Sequence, residues 1–292
     1  MNNDTLVDIV LASYNGELYI KEQINSILEQ THKNIRLIVS DDGSSDNTQK
    51  VVKKIMEKDS RVEFYKSNHP AGVINNFNHG LEKTTADYIL FSDQDDVWLN
   101  DKVELLLNKI QKAESNCNEP TPCLVFSNLC VVDEKLNVIG SDFYVLNSLN
   151  PLNNLDERYL IWRSTIYGCT TIFNRALLSK AGLAPCNITM HDHWFAYNAL
   201  KFGMLIYDER KHVLYRQHSG NLVGSHKRNI FSKLSRLRKT MSGINKNIAT
   251  VRFLEHDKKM AEHKFTLFNN VIPFIRERTL YTVLFIILWS IK

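Results

Sequence analysis

The first hundred residues alternate between short apolar runs and amphipathic segments. Apolar runs rich in β-branched and aromatic residues predict four strands, at 7–12, 35–40, 62–65 and 88–92. Helical spacing predicts helices between them, at 17–30, 46–58 and 73–83, with Asp46 as the N-cap of the second. Strands that alternate with helices favour a mainly parallel sheet with helices on both faces.

Three polar segments follow predicted strands. They are Ser13-Tyr14-Asn15, Asp41-Asp42 and Asp93-Gln94-Asp95-Asp96. Ligands of open α/β sheets bind beyond the carboxyl ends of the strands, so we expect these segments to converge on one crevice.

The pattern after residue 123 is more varied. It predicts strands at 124–132, 170–173, 205–208 and 213–217, a pairing segment at 137–143, and helices at 155–162, 175–181 and 192–202. Residues 147–156, with four Asn and one Pro, indicate an exposed loop between a nucleotide half (1–146) and an acceptor half (155–222). We expect residues 223–292 to form a separate helical, basic and apolar region.

Composition excludes some classes of protein. A chain of 292 residues with 43% hydrophobic and 23% charged residues is typical of a folded globular protein. Its five cysteines include no CxxC pair, which argues against a disulfide framework or a zinc site. The polar start lacks the pattern of a secretory signal, so we expect a cytoplasmic protein.

The net charge of +4 hides an uneven distribution. Residues 211–254 carry ten Lys or Arg and no acid, which leaves 26 basic against 32 acidic residues elsewhere. This polarity favours contact with an anion, either phosphate or anionic lipid, although a solvated helix face would look the same. Nucleic acid is not expected as a partner, since the acidic body would repel it.

The acidic turn Asp93–Asp96 predicts a divalent cation. Its three carboxylates directly follow a buried strand, and carboxylate oxygens suit Mg²⁺ or Mn²⁺ that also binds a substrate phosphate. The alternative is a turn that merely caps the next helix. Asp41 and Asp42 could accept hydrogen bonds from a nucleobase or a ribose, or again belong to a turn.

Two further segments carry candidate chemistry. Asp192, in His191-Asp192-His193-Trp194, could serve as a general base if it is partly desolvated; an N-cap and a two-histidine metal site are the alternatives. In Tyr215-Arg216-Gln217-His218, His218 could complete a metal site and Arg216 could face a diphosphate, although a lone histidine is often structural.

Together these segments resemble glycosyltransferase family 2, whose members are inverting enzymes of the GT-A fold. The resemblance covers residues 6 to about 220 and is carried by five ordered motifs. They are 10–16 (VLASYNG), 26–31 (SILEQT), 39–46 (VSDDGSSD), 91–98 (FSDQDDVW) and 191–194 (HDHW).

The resemblance implies a nucleotide-sugar donor, a divalent ion and one catalytic base, Asp192. The metal residues would be Asp95, Asp96 and His218. The nucleotide-sugar residues would be Ala12, Ser13, Tyr14, Asn15, Asp41, Asp42, Gly72, Asn76, Asp93, Gln94, Asp95 and Arg216. Gly168, Cys169, His191 and Trp194 would lie near the acceptor or the donor sugar. Phe77 stands where many members carry a basic residue.

The segments 168–175 and 215–218 look most like rhamnosyltransferases or hexosyltransferases of bacterial polysaccharide assembly, such as O-antigen or capsule. The resemblance therefore implies transfer from a UDP- or dTDP-sugar to a lipid-diphosphate-linked saccharide, with Mn²⁺ or Mg²⁺. A sugar-phosphate nucleotidyltransferase and a non-catalytic membrane-surface binding protein are the alternatives. The sequence is also compatible with a homo-oligomer.

The C-terminal region lies outside the resemblance. Residues 226–239 mix basic and apolar residues at helical spacing, which suits an anionic lipid surface. Residues 279–291 are nearly all apolar but fewer than the ~20 needed to span a bilayer. We expect a peripheral contact with the inner face of the cell membrane; a core helix or a partner interface is the alternative.

Overall fold

A computed structural model describes residues 4–218, 231–255 and 268–291. Its first half is a parallel sheet of β1 (Val7–Ser13), β2 (Ile35–Asp41), β3 (Val62–Lys66) and β4 (Tyr88–Ser92), in the order β3-β2-β1-β4. The connecting helices are α1 (Ile20–Leu28), α2 (Thr48–Met56) and α3 (Val73–Leu81). The alternation of strands and helices predicted from the sequence is confirmed.

The second half extends the same sheet. It contributes β5 (Val97–Trp98), α4 (Lys102–Glu114), β6 (Cys123–Val132), β7 (Val138–Gly140), β8 (Thr171–Asn174), α7 (Arg175–Ala181), α8 (His191–Phe202) and β9 (Met204–Arg216). Beyond β4 the order is β8-β6-β9-β5, with β7 paired to β6. β8 runs antiparallel to β4 and β6, and β6 and β9 are parallel, whereas β5 and β7 run antiparallel to β9 and β6, so the second half of the sheet is mixed.

Three local predictions need correction. The two strands predicted at 205–208 and 213–217 form one strand, β9, whose register against β6 shifts between Ser127 and Cys130. A polar stretch inside β9 hid this continuity from the pattern. The strand β5 was missed because two residues carry no periodicity.

The segment 147–156 is not an exposed loop throughout. It contains a 3₁₀ helix (Pro151–Leu155) between α5 (Phe143–Leu146) and α6 (Glu157–Leu160). Asn154 is fully buried, and its amide donates to the Thr165 hydroxyl at 2.8 Å. Here an asparagine side chain makes the hydrogen bonds of a tight segment. Composition alone cannot distinguish such a segment from an exposed loop.

An aromatic layer fixes α8 against the sheet. Phe173 of β8 stacks on Phe195 of α8 with ring centroids 4.9 Å apart, and Phe91 of β4 lies 5.0 Å from Phe173. All three side chains are fully buried. These ring contacts hold the N-terminal part of α8 against β4 and β8.

The C-terminal part docks on the acceptor half through α9 (Phe231–Leu254) and α10 (Thr279–Ile291). The Phe285 ring packs 5.0 Å from Trp162, and Glu277, just before α10, accepts from Arg163 at 3.0 Å and from the Tyr159 hydroxyl at 2.7 Å. The opposite side of α10 is exposed and apolar, with Leu280 75% and Ile287 47% exposed.

The predicted basic segment 226–239 lies only partly within the described residues. Residues 226–230, like the boundary proposed at 222, fall outside them, while the backbone from Phe231 belongs to α9. Among the described helices, none combines the length and the apolar character that a membrane span requires.

Candidate functional site

The three polar segments lie side by side at one edge of the sheet. Ser13 at the end of β1 is in register with Asp41 at the end of β2, and Leu11 of β1 is in register with Ser92 of β4. Parallel pairing therefore brings the segments after β1, β2 and β4 to one crevice, as expected from the strand pattern.

The loop after β1 is bonded to the acidic turn. Backbone N–H of Tyr14 donates to Gln94 Oε1 at 2.9 Å, and Gln94 Nε2 donates back to the Tyr14 carbonyl at 3.0 Å. A Cβ on Gly16 would lie 2.2 Å from Gln94 Oε1, so this close approach requires glycine. Tyr14 itself is 57% exposed beside Asn15, and its ring is available to a planar ligand.

Asp41 and Asp42 have different environments. Asp41 is buried, and its carboxylate accepts hydrogen bonds from Ser13 Oγ, from the amide and hydroxyl of Ser44, and from Gln49 Nε2. These four bonds make Asp41 a structural centre of the loop. Asp42 is half-buried, and one of its oxygens accepts from the Gly72 amide at 2.8 Å, which leaves the other oxygen for a ligand.

Asn76 and the glycine before α3 complete this side of the crevice. The Asn76 side chain is buried and donates to the Ser13 carbonyl at 3.1 Å, while Ser40 Oγ donates to its oxygen at 2.7 Å. Gly72 adopts φ +142°, a conformation that favours glycine. Ala12 is partly buried in β1 behind these residues.

The acidic turn places its carboxylates on two sides. Asp96 is fully buried, and its Oδ1 accepts from the Arg216 amide at 3.2 Å. Its Oδ2 has no hydrogen-bond partner among the described residues. Ligating atoms of Asp93, Asp96 and Cys169 all lie within 4.8 Å of one another. Asp95 instead pairs with His218, Nε2 to Oδ2, at 2.8 Å.

These carboxylates fit a divalent cation. Burial, with the nearby charges of Asp95 and Asp192, raises the pKa of Asp93 to about 7, and burial raises the pKa of Asp96 well above its usual value. A bound cation stabilises the charged form of carboxylates that are buried and repel one another. An unpartnered carboxylate oxygen is also the type of ligand that Mg²⁺ and Mn²⁺ bind. Of the predicted set, Asp96 therefore lies with Asp93 and Cys169, whereas Asp95 and His218 form a separate pair.

Arg216 is a buried residue that bonds to the acidic turn. Only 2% of it is exposed, and its guanidinium donates to the carbonyls of Asp95 at 2.8 Å and Glu134 at 2.6 Å and pairs with the Glu22 carboxylate. It also lies over the Tyr19 ring, 4.8 Å from its centroid. These contacts give Arg216 a supporting position behind the turn, where the sequence had suggested a contact to a diphosphate.

Asp192 is the second residue of α8 and faces the same crevice; the N-cap is Met190, so the N-cap alternative for Asp192 is wrong. Its carboxylate accepts from the Gly168 amide at 3.0 Å and from the His193 amide at 2.6 Å. Burial raises its pKa to about 6, close to working pH for a general base. Its charge also raises the pKa of Asp93, so the carboxyl groups are close enough to interact.

The residues flanking Asp192 are buried or half-buried. His191 is buried and stacks on Phe77 at 3.9 Å, and burial lowers its pKa to about 3. His193 Nε2 bonds with the Leu160 carbonyl at 2.5 Å. The two imidazoles thus have separate surroundings, which argues against the two-histidine metal site. Trp194 is half-buried, 6.0 Å from Phe253 of α9.

Lys102, at the start of α4, was missed by reasoning from the sequence. It is fully buried, and its Nζ lies 2.5 Å from the Cys169 carbonyl oxygen. The one signal was its position: it precedes Leu106 by four residues and therefore shares the buried face of α4. Lysines are rarely fully buried, so composition places such a residue at the surface.

Residues 8–125 match the model of the family described as Glycosyl transferase family 2. The dTDP-rhamnosyl transferase RfbG of Shigella flexneri is 30% identical over 234 residues, which cover 74% of this chain and 74% of that protein. An uncharacterized glycosyltransferase of Rickettsia conorii is also 30% identical, over 219 residues, yet the chain spans only 34% of its length.

Solved structures with a similar fold include TarS of S. aureus in complex with UDP, with a TM-score of 0.61 and 15% identity over 93% of this chain and 72% of that one. A mannosyltransferase of Pyrobaculum calidifontis, in complex with GDP-Man and Mn²⁺, gives a TM-score of 0.57 and 17% identity over 92% of this chain and 75% of that one. At these identities the likeness is one of fold.

Proposed function

The chain belongs to glycosyl transferase family 2 and has the GT-A fold, and we propose that it is an inverting glycosyltransferase dependent on a divalent metal. The observation that carries the proposal is that Asp192 interacts with the acidic turn 93–96, at the same sheet edge as the exposed Tyr14 and the half-buried Asp42. This arrangement supplies a base, a place for a cation and a nucleotide surface.

The donor would lie along the carboxyl ends of β1, β2 and β4. Tyr14 would stack on the base, and the second oxygen of Asp42 would accept from its N–H groups. Asp93 would bind the ribose or the sugar. Asp96, with Asp93, would hold Mn²⁺ or Mg²⁺, which when bound stabilises the negative charge of the departing diphosphate.

Asp192 would take the proton of the acceptor hydroxyl. As the hydroxyl oxygen forms its bond to the anomeric carbon, the bond from that carbon to the nucleoside diphosphate breaks on the opposite face, and the configuration inverts. The Gly168 and His193 amides hold the base in place without protonating it. A carboxyl with a pKa of about 6 is ionised at neutral pH and still basic enough to accept a proton.

For substrates we propose a UDP- or dTDP-hexose or deoxyhexose donor and a lipid-diphosphate-linked saccharide acceptor of bacterial polysaccharide assembly. The similarity to the Shigella flexneri dTDP-rhamnosyl transferase supports the donor class. An Escherichia coli UDP-Glc:α-D-GlcNAc-diphosphoundecaprenol β-1,3-glucosyltransferase, 37% identical over 111 residues and 38% of this chain, supports the acceptor class.

A donor and acceptor screen tests the function. Purified protein with Mn²⁺ or Mg²⁺ is incubated with UDP-glucose, UDP-galactose or dTDP-rhamnose and a GlcNAc-diphosphate-lipid, and transfer is followed by mass spectrometry. We expect transfer from one donor, abolished by EDTA. No transfer and no slow donor hydrolysis with any pair would contradict the proposal; pyrophosphate release from a nucleoside triphosphate and a sugar phosphate would indicate a nucleotidyltransferase.

We further propose that the exposed face of α10 contacts an anionic membrane surface at the inner face of the cell membrane. Leu280, Val283 and Ile287 recur at helical spacing on that face, and Arg276 and Arg278 are exposed just before the helix. The opposite face carries the buried Phe285 and packs on the protein. A lipid-linked acceptor would be presented at such a surface.

Leu280→Glu combined with Ile287→Glu should release the protein from vesicles of anionic phospholipid. Burying each large apolar side chain contributes roughly 1.5–3 kcal/mol, so losing two should weaken binding at least ~100-fold. Flotation measures the bound fraction, and donor titration checks the nucleotide site, which should be unchanged. Met56→Glu, an exposed apolar position on α2, is the control. Equal flotation of the double variant and this control would contradict the contact.

A further inference from the structure

A buried lysine links the acidic turn to the turn that carries the base. Lys102 begins α4 two elements after the acidic turn, and no part of it is exposed. Its ammonium lies 3.2 Å from the centroid of the Trp98 ring and donates to the carbonyl oxygen of Cys169 at 2.5 Å. A buried ammonium loses its hydration, so its presence here calls for a compensating role.

The partner of Lys102 is the 3₁₀ turn Gly168–Thr170. Cys169 supplies the carbonyl that Lys102 binds, and the neighbouring Gly168 supplies the N–H that donates to Asp192 Oδ2 at 3.0 Å. A fixed carbonyl at Cys169 restricts rotation of the turn, and the direction of the Gly168 N–H depends on that rotation. Lys102 and Asp192 therefore bond to adjacent residues of the same turn.

A longer hydrogen bond also reaches the turn from β6, where the Ser127 hydroxyl donates to the Thr170 carbonyl at 3.4 Å. Thr170 and Thr171 hydroxyls donate to the carbonyls of Tyr167 and Gly168, at 2.7 and 2.8 Å, and these bonds are local to the turn. Lys102 reaches it from a different element, and α4 is anchored by buried Val103, Leu106, Leu107 and Ile110. The lysine thus transfers the position of a rigid helix to a short turn.

We propose that Lys102 is a positioning residue for the base: by holding the Cys169 carbonyl it orients the Gly168 N–H that aims the Asp192 carboxylate at the acceptor hydroxyl. This rests on the proposed role of Asp192. The alternative is a charge-balancing role, because Asp93 and Asp96 also interact with the ammonium. If Lys102 served only to balance their charge, it would act on metal and donor binding instead of on turnover.

Lys102→Met separates these roles, since methionine keeps most of the apolar stem and removes the ammonium. We expect kcat to fall roughly 10- to 100-fold, the loss associated with a base displaced by about 1 Å, with donor KM and Mn²⁺ affinity within about twofold of the original. Lys112→Met, an exposed position on the same helix, should match the unaltered protein. An altered Mn²⁺ affinity with unchanged kcat would assign charge balance and overturn the proposal.

A double-mutant cycle with Asp192→Asn supplies the decisive readout. If Lys102 acts through the base, Lys102→Met should cost less than about twofold once the base is gone, because coupled residues are not additive. An equal loss in both backgrounds would reveal a general structural defect and overturn the proposal. If Asp192→Asn alone keeps full turnover, it is the proposed base, and not Lys102, that fails first.

Thr171→Val guards against a variant that does not fold. It removes the bond to the Gly168 carbonyl without placing or removing a buried charge. We expect a smaller fall in kcat, again absent in the Asp192→Asn background, with circular dichroism confirming the fold. Unchanged kcat for Thr171→Val together with unchanged kcat for Lys102→Met would show that the turn does not position the base.

Discussion

Asp192→Asn should lower kcat at least ~100-fold while leaving donor binding intact, because the amide keeps the volume of the carboxylate but cannot accept a proton in the reaction. The Gly168 and His193 amides bond to different oxygens of the carboxylate, so asparagine keeps an acceptor for only one of them, and circular dichroism must check that the fold is preserved. Turnover is measured with saturating donor and acceptor, and donor affinity by calorimetry.

The pH profile gives a second measure of the same group. Burial raises the pKa of Asp192 to about 6, and only its ionised form can act as a base. The rate should therefore be constant above about pH 7 and fall as the pH drops through 6. In Asp192→Asn this acidic limb should disappear from the residual rate.

Asp142→Asn is the matched control for the capping alternative. Asp142 caps α5 by accepting from the Val145 amide at 3.0 Å and lies outside the crevice residues described above. Asparagine caps helices as well as aspartate does, so this change should leave turnover near normal. If Asp192→Asn behaves like Asp142→Asn, Asp192 only accepts hydrogen bonds from the local backbone, and the base must be sought elsewhere.

The first half of the fold could be predicted from the sequence because three of its four strands, β1, β2 and β4, are buried along most of their length. Mainly apolar runs such as Val7–Ser13 contrast strongly with the amphipathic helices that follow. The second half was harder, since β9 passes through the polar residues Asp208 to His212 and remains a strand by pairing with β6. Tertiary pairing overrides the local pattern at such a place.

The position of the site could be predicted from the sequence, but the role of each residue in it could not. Parallel strands bring their carboxyl ends together whatever the details, so the crevice followed from topology. Whether Asp41 or Asp42 faces a ligand depends on which one Ser13, Ser44 and Gln49 satisfy. That choice is made by side chains distant in sequence.

Asp96→Asn should weaken Mn²⁺-dependent donor binding by roughly 100-fold or more. Changing a residue around a metal ligand typically costs about 10- to 100-fold in affinity, and changing a ligand itself should cost at least the upper value. Asparagine preserves the acceptor for the Arg216 amide at Oδ1 but replaces the unpartnered oxygen by an NH₂ group, which repels a cation. Titration of the metal alone, and of UDP-sugar with and without EDTA, measures the loss.

Two aspartate variants make this result specific. Asp41→Asn changes an equally buried carboxylate whose hydrogen bonds come from the protein itself, so it should lower thermal stability and leave metal affinity unchanged. Asp95→Asn removes the partner of His218. If Asp95→Asn abolishes metal binding and Asp96→Asn does not, the cation lies at the Asp95–His218 pair. Donor titrations indifferent to both changes and to EDTA would remove the metal from the mechanism, and the cluster of Asp93, Asp96 and Cys169 would then have only a structural role.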